Sequence, residues 1–151
     1  MDASREERKW EEQTRRIQIS LQYIKRNMET DLLRTGQLPI TGPQMYMLYY
    51  LNRHERCRLA QLADVFEVKP SAITVMVDRL EKPGYVRRLP DPEDRRSVLV
   101  EVTPEGKDVL MQAFRARCEV LGNYLSRLDD EEIPVFIRLL EKFAGVPEGG
   151  I

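Results

Sequence analysis

The chain has 151 residues, of which 42% are hydrophobic and 32% are charged, and its formal net charge is −1 at pH 7. This length suffices for one domain with a real core, and the near-zero charge excludes a globally basic protein without excluding a local basic patch. No apolar run approaches the roughly 20 residues of a membrane span, and the charged N-terminus lacks the apolar segment of a signal peptide. We therefore expect a cytoplasmic protein with no membrane partner.

Apolar residues at helical spacing predict a long first helix over about residues 5–34, which ends near Gly36 and Pro39. Thr41 and Gln44 have the spacing of a capping box, which predicts that a second, central helix begins there and continues to about residue 52. A short third helix follows, and its amphipathic pattern is carried by Leu59, Leu62, Ala63 and Phe66.

A fourth helix and a hairpin come next. Pro70 suits the first position of a helix over residues 70–82, and Pro83-Gly84 ends it. Val86 then begins one short strand, and the alternation over residues 98–102 predicts a second strand that pairs with it. The inner face of the fourth helix is predicted to consist of Ile73, Met76, Val77 and Leu80.

Two further helices complete the predicted order. Thr103 and Pro104 start a fifth helix that continues to about residue 127, and a sixth covers about 130–143, where Pro134 predicts a later start or a kink. Because the small centre cannot cover their apolar stripes, the terminal helices are predicted to form a homodimer. The predicted stripe of the fifth helix is Leu110, Phe114, Leu121, Tyr124, Leu125 and Leu128.

Basic side chains concentrate on the fourth helix and the hairpin, whereas acidic residues concentrate at the N-terminus and over residues 129–132. Hydroxyl and methyl groups on a helix can contact base edges and thymine methyls in the major groove, and an arginine at a hairpin tip suits the narrow minor groove. Asp94 is predicted to bond locally, to wing amides or to Arg96, and to hold that arginine extended. The predicted DNA-binding residues are Ser71, Thr74, Val75, Arg79, Arg87, Arg95 and Arg96.

The sequence contains no recognised pattern of a catalytic or metal site. It has one histidine, His54, no GxSxG, no P-loop and no HExxH, and Cys57 and Cys118 form no CxxC pair. We therefore predict no catalytic residues, no cofactor and no metal. The cysteines are interpreted as reduced structural or exposed thiols; a redox-sensing thiol is the alternative, because arginines flank both of them.

Several segments between residues 59 and 106 resemble the MarR family of bacterial transcription regulators. They include Leu80-Glu81 followed by Gly84-Tyr85-Val86, the wing motif Asp91-Pro92-Glu93-Asp94-Arg95-Arg96-Ser97, and Thr103-Pro104-Glu105-Gly106. The resemblance covers about residues 40–143 in helix order. It implies an obligate dimer built on the terminal helices and a pseudo-palindromic operator. It also implies that the fourth helix reads the major groove, while Arg96 enters the minor groove with Asp94 as its support.

The resemblance also implies that a small phenolic or aromatic acid releases DNA by binding between the dimer and DNA-binding lobes. The second helix offers a candidate ligand cleft at Met45, Tyr49 and His54, with Tyr46 and Tyr50 nearby, because tyrosine hydroxyls and an imidazole among apolar walls can hold such an acid. The alternative is that these are core aromatics with polar tips. One branch of the family senses peroxide through a cysteine near the start of the first helix, and this sequence has none there.

The predicted fold class is mainly α with a small β-hairpin wing: a winged helix-turn-helix flanked by N- and C-terminal dimerisation helices. We expect a single domain over residues 1–151, with dimerisation helices at about 1–38 and 104–146 and the DNA-binding lobe at about 40–103. The predicted function is a dimeric repressor of a double-stranded DNA operator, not an enzyme, with a small aromatic effector. The alternatives are a winged-helix protein-interaction module and a ligand-independent DNA-binding protein.

Overall fold

The computed structural model describes residues 3–36 and 39–146, with side chains from residue 10 onward. The ends of the predicted dimerisation segments and of the predicted domain, at residues 1–2, 37–38 and 147–151, lie outside the described residues. The elements are α1 (Ala3–Arg34), α2 (Gly42–His54), β1 (Arg56–Arg58), α3 (Leu59–Val65), α4 (Pro70–Glu81), β2 (Val86–Pro90), β3 (Val98–Val102), α5 (Pro104–Leu125) and α6 (Glu132–Ala144). The predicted class, mainly α with a hairpin wing, is confirmed.

The described residues form two compact units, one from residues 3–34 with 117–146 and the other from residues 35–36 with 39–116. The second unit contains α2, α3, α4 and the sheet, and it also includes α5 as far as Ala116. The sequence-based boundary had placed all of α5 with the dimerisation helices. The division into functional lobes remains a prediction.

The central position of α2 follows from its cap and its apolar surface. Gln44 N donates to Thr41 Oγ1 at 3.4 Å, and Thr41 N donates to Gln44 Oε1 at 2.8 Å, so the predicted capping box is present. Met47, Leu48 and Leu51 of this helix are fully buried. The helix therefore forms the middle of the core of the second unit.

The inner face of α4 packs onto that core as its periodicity predicts. Ile73, Val77 and Leu80 are fully buried, and Met76 packs against them while remaining partly exposed. Pro70 is the first helical residue, and the helix ends at Glu81, just before the predicted Pro83-Gly84 stop. One face of α4 is thus fixed by packing, and the opposite face is left to solvent.

The sheet contains a strand that the sequence did not predict. Its order is β1-β3-β2 with antiparallel pairs, and β1 is only three residues long. In one cross-strand row Cys57 is paired with Val100, and Val100 with Arg88; in the next, Arg56 is paired with Glu101, and Glu101 with Arg87. Strand β1 therefore attaches the wing to the chain between α2 and α3.

The first unit contains α1, the last part of α5 and α6. Leu32 and Val120 are buried, and the Tyr124 hydroxyl donates to Asp31 Oδ2 at 2.6 Å. Helix α6 begins at Glu132, later than Asp130, so Pro134 stands in its first turn, where proline is tolerated. None of the α6 residues is buried, and six large apolar ones are exposed: Val135, Phe136, Ile137, Leu139, Leu140 and Phe143.

The predicted stripe of α5 is only partly buried. Phe114 and Leu121 are 55% and 45% exposed, whereas Leu110 of the same stripe is buried. The buried set is Val109, Leu110, Ala113, Ala116 and Val120. Within the described residues, the helices are too short or too polar to span a membrane.

Candidate nucleic-acid interface

The solvent face of α4 displays the residues predicted to contact bases. Ser71, Thr74, Val75 and Arg79 are all exposed, because the helical repeat places them opposite the buried stripe. The Thr74 hydroxyl donates to Pro70 O at 3.1 Å, so its oxygen is left as an acceptor for an outside donor. Val75 is 48% exposed, which leaves an apolar group on an otherwise polar face.

Asp94 organises the tip of the wing. Its Oδ1 accepts from Arg96 N at 3.0 Å, and its Oδ2 accepts from the Ser97 hydroxyl at 2.7 Å. Ser97 N also donates to Asp94 O at 2.9 Å, which closes the turn. The Ser97 hydroxyl and then the Arg96 amide hold the pKa of the Asp94 carboxyl below its usual value. The carboxylate thus bonds to backbone and hydroxyl donors rather than to the Arg96 guanidinium.

The two arginines at the tip keep their charges free. Arg95 and Arg96 are exposed, and in the part of the chain that the structure describes neither guanidinium lies within ion-pair distance of a carboxylate. The same holds for Arg79 on α4. These three side chains can therefore offer their full charge to a polyanion.

An ion pair that the sequence did not predict anchors the wing where β2 ends and its turn begins. Asp91 is 4% exposed, and its Oδ2 accepts from Arg58 Nε at 2.6 Å while its Oδ1 accepts from Glu93 N at 2.9 Å. The Glu93 amide and then Arg58 hold the Asp91 pKa below its usual value. Because Arg58 lies 33 residues from Asp91, no local pattern could indicate the pair.

Arg87 forms an ion pair with Glu101 of the neighbouring strand β3. Glu101 accepts from Arg56 Nε at 2.6 Å and from the Arg87 guanidinium, so one carboxylate is held by arginines on both neighbouring strands. These bonds, from Arg56 first and Arg87 second, lower the Glu101 pKa. Contact of Arg87 with DNA remains a prediction, and in this structure its charge is shared with Glu101.

Arg88 lies on the other face of the hairpin. Its guanidinium bonds to the carboxylates of Asp78 and Glu81 on α4, and its backbone N donates to Glu81 Oε1 at 3.1 Å. Because successive side chains of a strand point to opposite faces, Arg87 bonds to Glu101 of the sheet, whereas Arg88 bonds to the carboxylates of α4.

The candidate ligand cleft is brought together only in part. A cavity of about 590 Å³ is lined by His54 with Leu51, Asn52, Glu55, Arg56, Arg87, Glu101, Val102 and Lys107. Met45 and Tyr49 do not line it. Both pack against the core, and the Tyr49 hydroxyl accepts an exposed hydrogen bond from Arg53 at 2.9 Å. The His54 ring stacks on Tyr50 with the ring centres 4.1 Å apart. The cleft remains a prediction.

The two cysteines differ in environment. Cys57 is buried on the inner face of β1, and burial raises the pKa of its thiol. Arg56 and Arg58 alternate to the opposite face of the strand and bond to carboxylates, so they do not favour a thiolate at Cys57. Cys118 is exposed. Among the described residues, His, Cys, Asp and Glu form no group that could hold a metal ion.

Comparisons with known proteins agree with this geometry. Residues 40–98 match the model of the MarR family. The HTH-type transcriptional repressor MdtR of Bacillus subtilis is 31% identical over 133 residues, which cover 87% of this chain and 86% of that protein.

Two solved structures are similar to the chain. The YusO protein from Bacillus subtilis superposes with a TM-score of 0.74 at 29% identity and covers 91% of this chain and 98% of its own. A mutant MarR from E. coli complexed with operator DNA gives a TM-score of 0.64 at 29% identity, with coverage of 86% and 91%. The chain therefore belongs to the MarR family of winged-helix, DNA-binding transcription regulators, a family that is not enzymatic.

Proposed function

We propose that the protein is a sequence-specific repressor that acts as a homodimer on a pseudo-palindromic operator in the cytoplasm. The observation that carries this proposal is the joint presence, in one compact unit, of an exposed helix face and an arginine-tipped wing whose turn is ordered by Asp94. MdtR, which is similar over most of its length, is named a repressor, and the similar MarR structure contains operator DNA.

In this proposal the exposed face of α4 enters the major groove. Ser71 and Thr74 offer hydroxyl oxygens to base edges or phosphates, and the methyl groups of Thr74 and Val75 suit a thymine methyl. Arg79 and Arg95 contact phosphates, and Arg96 enters the minor groove, whose negative potential attracts a guanidinium. Base contacts then set the sequence preference, and phosphate contacts set most of the affinity.

The homodimer is supported by the apolar surface of the first unit. Helix α6 exposes six large apolar residues and buries none, and Trp10, Ile17 and Tyr23 of α1 are also exposed. A stable monomer rarely exposes so many large apolar side chains to water. The simplest way to bury them is contact with a second copy of the chain related by a two-fold axis. Such symmetry would place two α4 helices in successive major grooves, about one helical turn apart.

A footprint on the DNA upstream of the gene tests this proposal. The expected result is protection of an inverted repeat whose half-sites are about 10 base pairs apart, centre to centre. A reporter driven by the same upstream DNA should be less active when the protein is present. Activation of the reporter would refute the repressor role, and protection without an inverted repeat would refute the two-fold operator.

The proposed effector is a small aromatic or phenolic acid bound at the cavity beside His54. Arg56, Arg87 and Lys107 line this cavity and can attract a carboxylate, and the stacked Tyr50 and His54 rings offer aromatic surface. Salicylate, added at increasing concentration to the protein–operator complex, should release the DNA. A complex that resists salicylate and a panel of related acids would instead support ligand-independent DNA binding.

A further inference from the structure

Arg88 is the most enclosed arginine of the wing. Its side chain is 25% exposed, compared with 62% for Arg87 beside it. Its guanidinium bonds to Asp78 and to Glu81, and its backbone N donates to Glu81 as well. All three bonds connect the first strand of the wing to the last turns of α4.

The two acids lie close to the proposed DNA-contacting surface. Asp78 is one helical turn beyond Thr74 and three residues beyond Val75, so it shares their exposed face of α4. An unpaired carboxylate on that face would repel the phosphates of a duplex lying against it. Arg88 is bonded to both Asp78 and Glu81, so its positive charge reduces this repulsion.

We propose that Arg88 is a positioning residue for operator binding: it offsets part of the negative charge of Asp78 and Glu81 and fixes the wing to α4, without contacting DNA itself. The proposal rests on the DNA-binding function proposed above. The planar guanidinium of Arg88 donates from its two terminal nitrogens to two different carboxylates, a geometry that a lysine ammonium could not match. The guanidinium is therefore engaged by protein before DNA arrives, unlike those of Arg95 and Arg96.

The test measures operator affinity and its salt dependence for a set of charge variants. Arg88→Leu leaves Asp78 and Glu81 unpaired, and we expect operator binding to weaken by about tenfold or more, since like charges are then brought together. Adding Asp78→Asn and Glu81→Gln to this variant removes both carboxylates, and most of the lost affinity should return. Thermal unfolding of each variant shows that the protein is folded at the assay temperature.

A matched control separates this local effect from a change in overall charge. Glu105→Gln with Asp108→Asn, also added to Arg88→Leu, removes two exposed acids from α5 and changes the net charge by the same amount. This control should restore little affinity. The slope of log affinity against log salt should stay near the wild-type value in Arg88→Leu, because no phosphate contact is lost.

Three results would overturn the proposal. The first is an unchanged operator affinity in Arg88→Leu, and the second is equal recovery of affinity with the control pair of substitutions. The third is a slope of log affinity against log salt that is reduced by about one, with no recovery of affinity from the Asp78 and Glu81 substitutions. This third result is the signature of a direct phosphate contact. Failure of the wild-type protein to bind any operator would refute the DNA-binding function. The two failures are thus distinguishable.

Discussion

The arginines of the second compact unit differ in whether their guanidinium is paired with a carboxylate. Arg58, Arg87 and Arg88 are paired with acids, whereas Arg95 and Arg96 are free of carboxylates among the described residues. The basic cluster was predictable because it is local in the sequence. The pairing of these arginines with carboxylates was not predictable, because Glu101 lies 14 residues from Arg87 and Asp91 lies 33 residues from Arg58.

At the residue scale, Arg96 should account for a large share of operator affinity. We expect Arg96→Ala to weaken binding by about 1–3 kcal/mol, because a guanidinium in the minor groove is lost while the fold is unchanged. Fluorescence anisotropy with the operator duplex measures the change. Arg115→Ala, which removes an exposed arginine from α5, is the control and should bind like wild type. Wild-type affinity in Arg96→Ala would contradict the assignment of the wing.

Acid should weaken the sheet through Glu101. Arg56 and Arg87 hold its pKa below the ordinary glutamate value of 4.5. Because the Glu101 pKa is lower in the folded state, the ionised carboxylate stabilises the fold at pH values above its ordinary pKa. This stabilisation is lost as the pH falls through the folded-state pKa. The difference in the free energy of unfolding between wild type and Glu101→Gln should therefore be largest near pH 7 and shrink below about pH 4. Urea unfolding measures it; a difference independent of pH would show that the carboxylate is not paired.

At the scale of elements, caps and periodicity predicted α2 and α4 well. The capping box of Thr41 and Gln44 is local, and a buried face repeats every three to four residues. Strand β1 was missed because three residues carry no readable alternation. Along α5, burial also includes the small Ala113 and Ala116, which the predicted stripe did not contain, whereas Phe114 and Leu121 of the stripe are exposed.

The junction between the wing and α5 depends on a glycine. A Cβ at Gly106 would lie 2.0 Å from Tyr85 O, a backbone atom that also accepts from Thr103 N at 3.0 Å. We expect Gly106→Ala to lower the free energy of unfolding by about 1–3 kcal/mol or more, because the backbone must shift. Gly122→Ala on the same helix meets nothing within 4 Å and should stabilise by about 0.5–1 kcal/mol. Equal unfolding midpoints for both variants in urea would contradict the close approach.

At the scale of the whole molecule, the family and the winged-helix fold followed from motifs and helix order. The proposed homodimer depends on the apolar face of α6, which sequence periodicity indicated and the absence of burial supports. We expect Leu139→Glu to convert the dimer to a monomer, because a carboxylate would be buried against apolar groups. Sedimentation equilibrium measures the mass, and Lys142→Glu, on the polar side of α6, should remain dimeric. A monomeric wild type, or a dimeric Leu139→Glu, would contradict the interface.

The most direct test of the central claim is selection of duplexes from a random-sequence library by the purified protein, followed by titration of the selected duplex at 50 and 200 mM salt. We predict enrichment of one inverted repeat, bound in preference to a random duplex, with an affinity that falls on the order of a thousandfold between the two salt concentrations if about six phosphates are contacted. No enriched sequence, with equal and weak binding to all duplexes, would contradict the account.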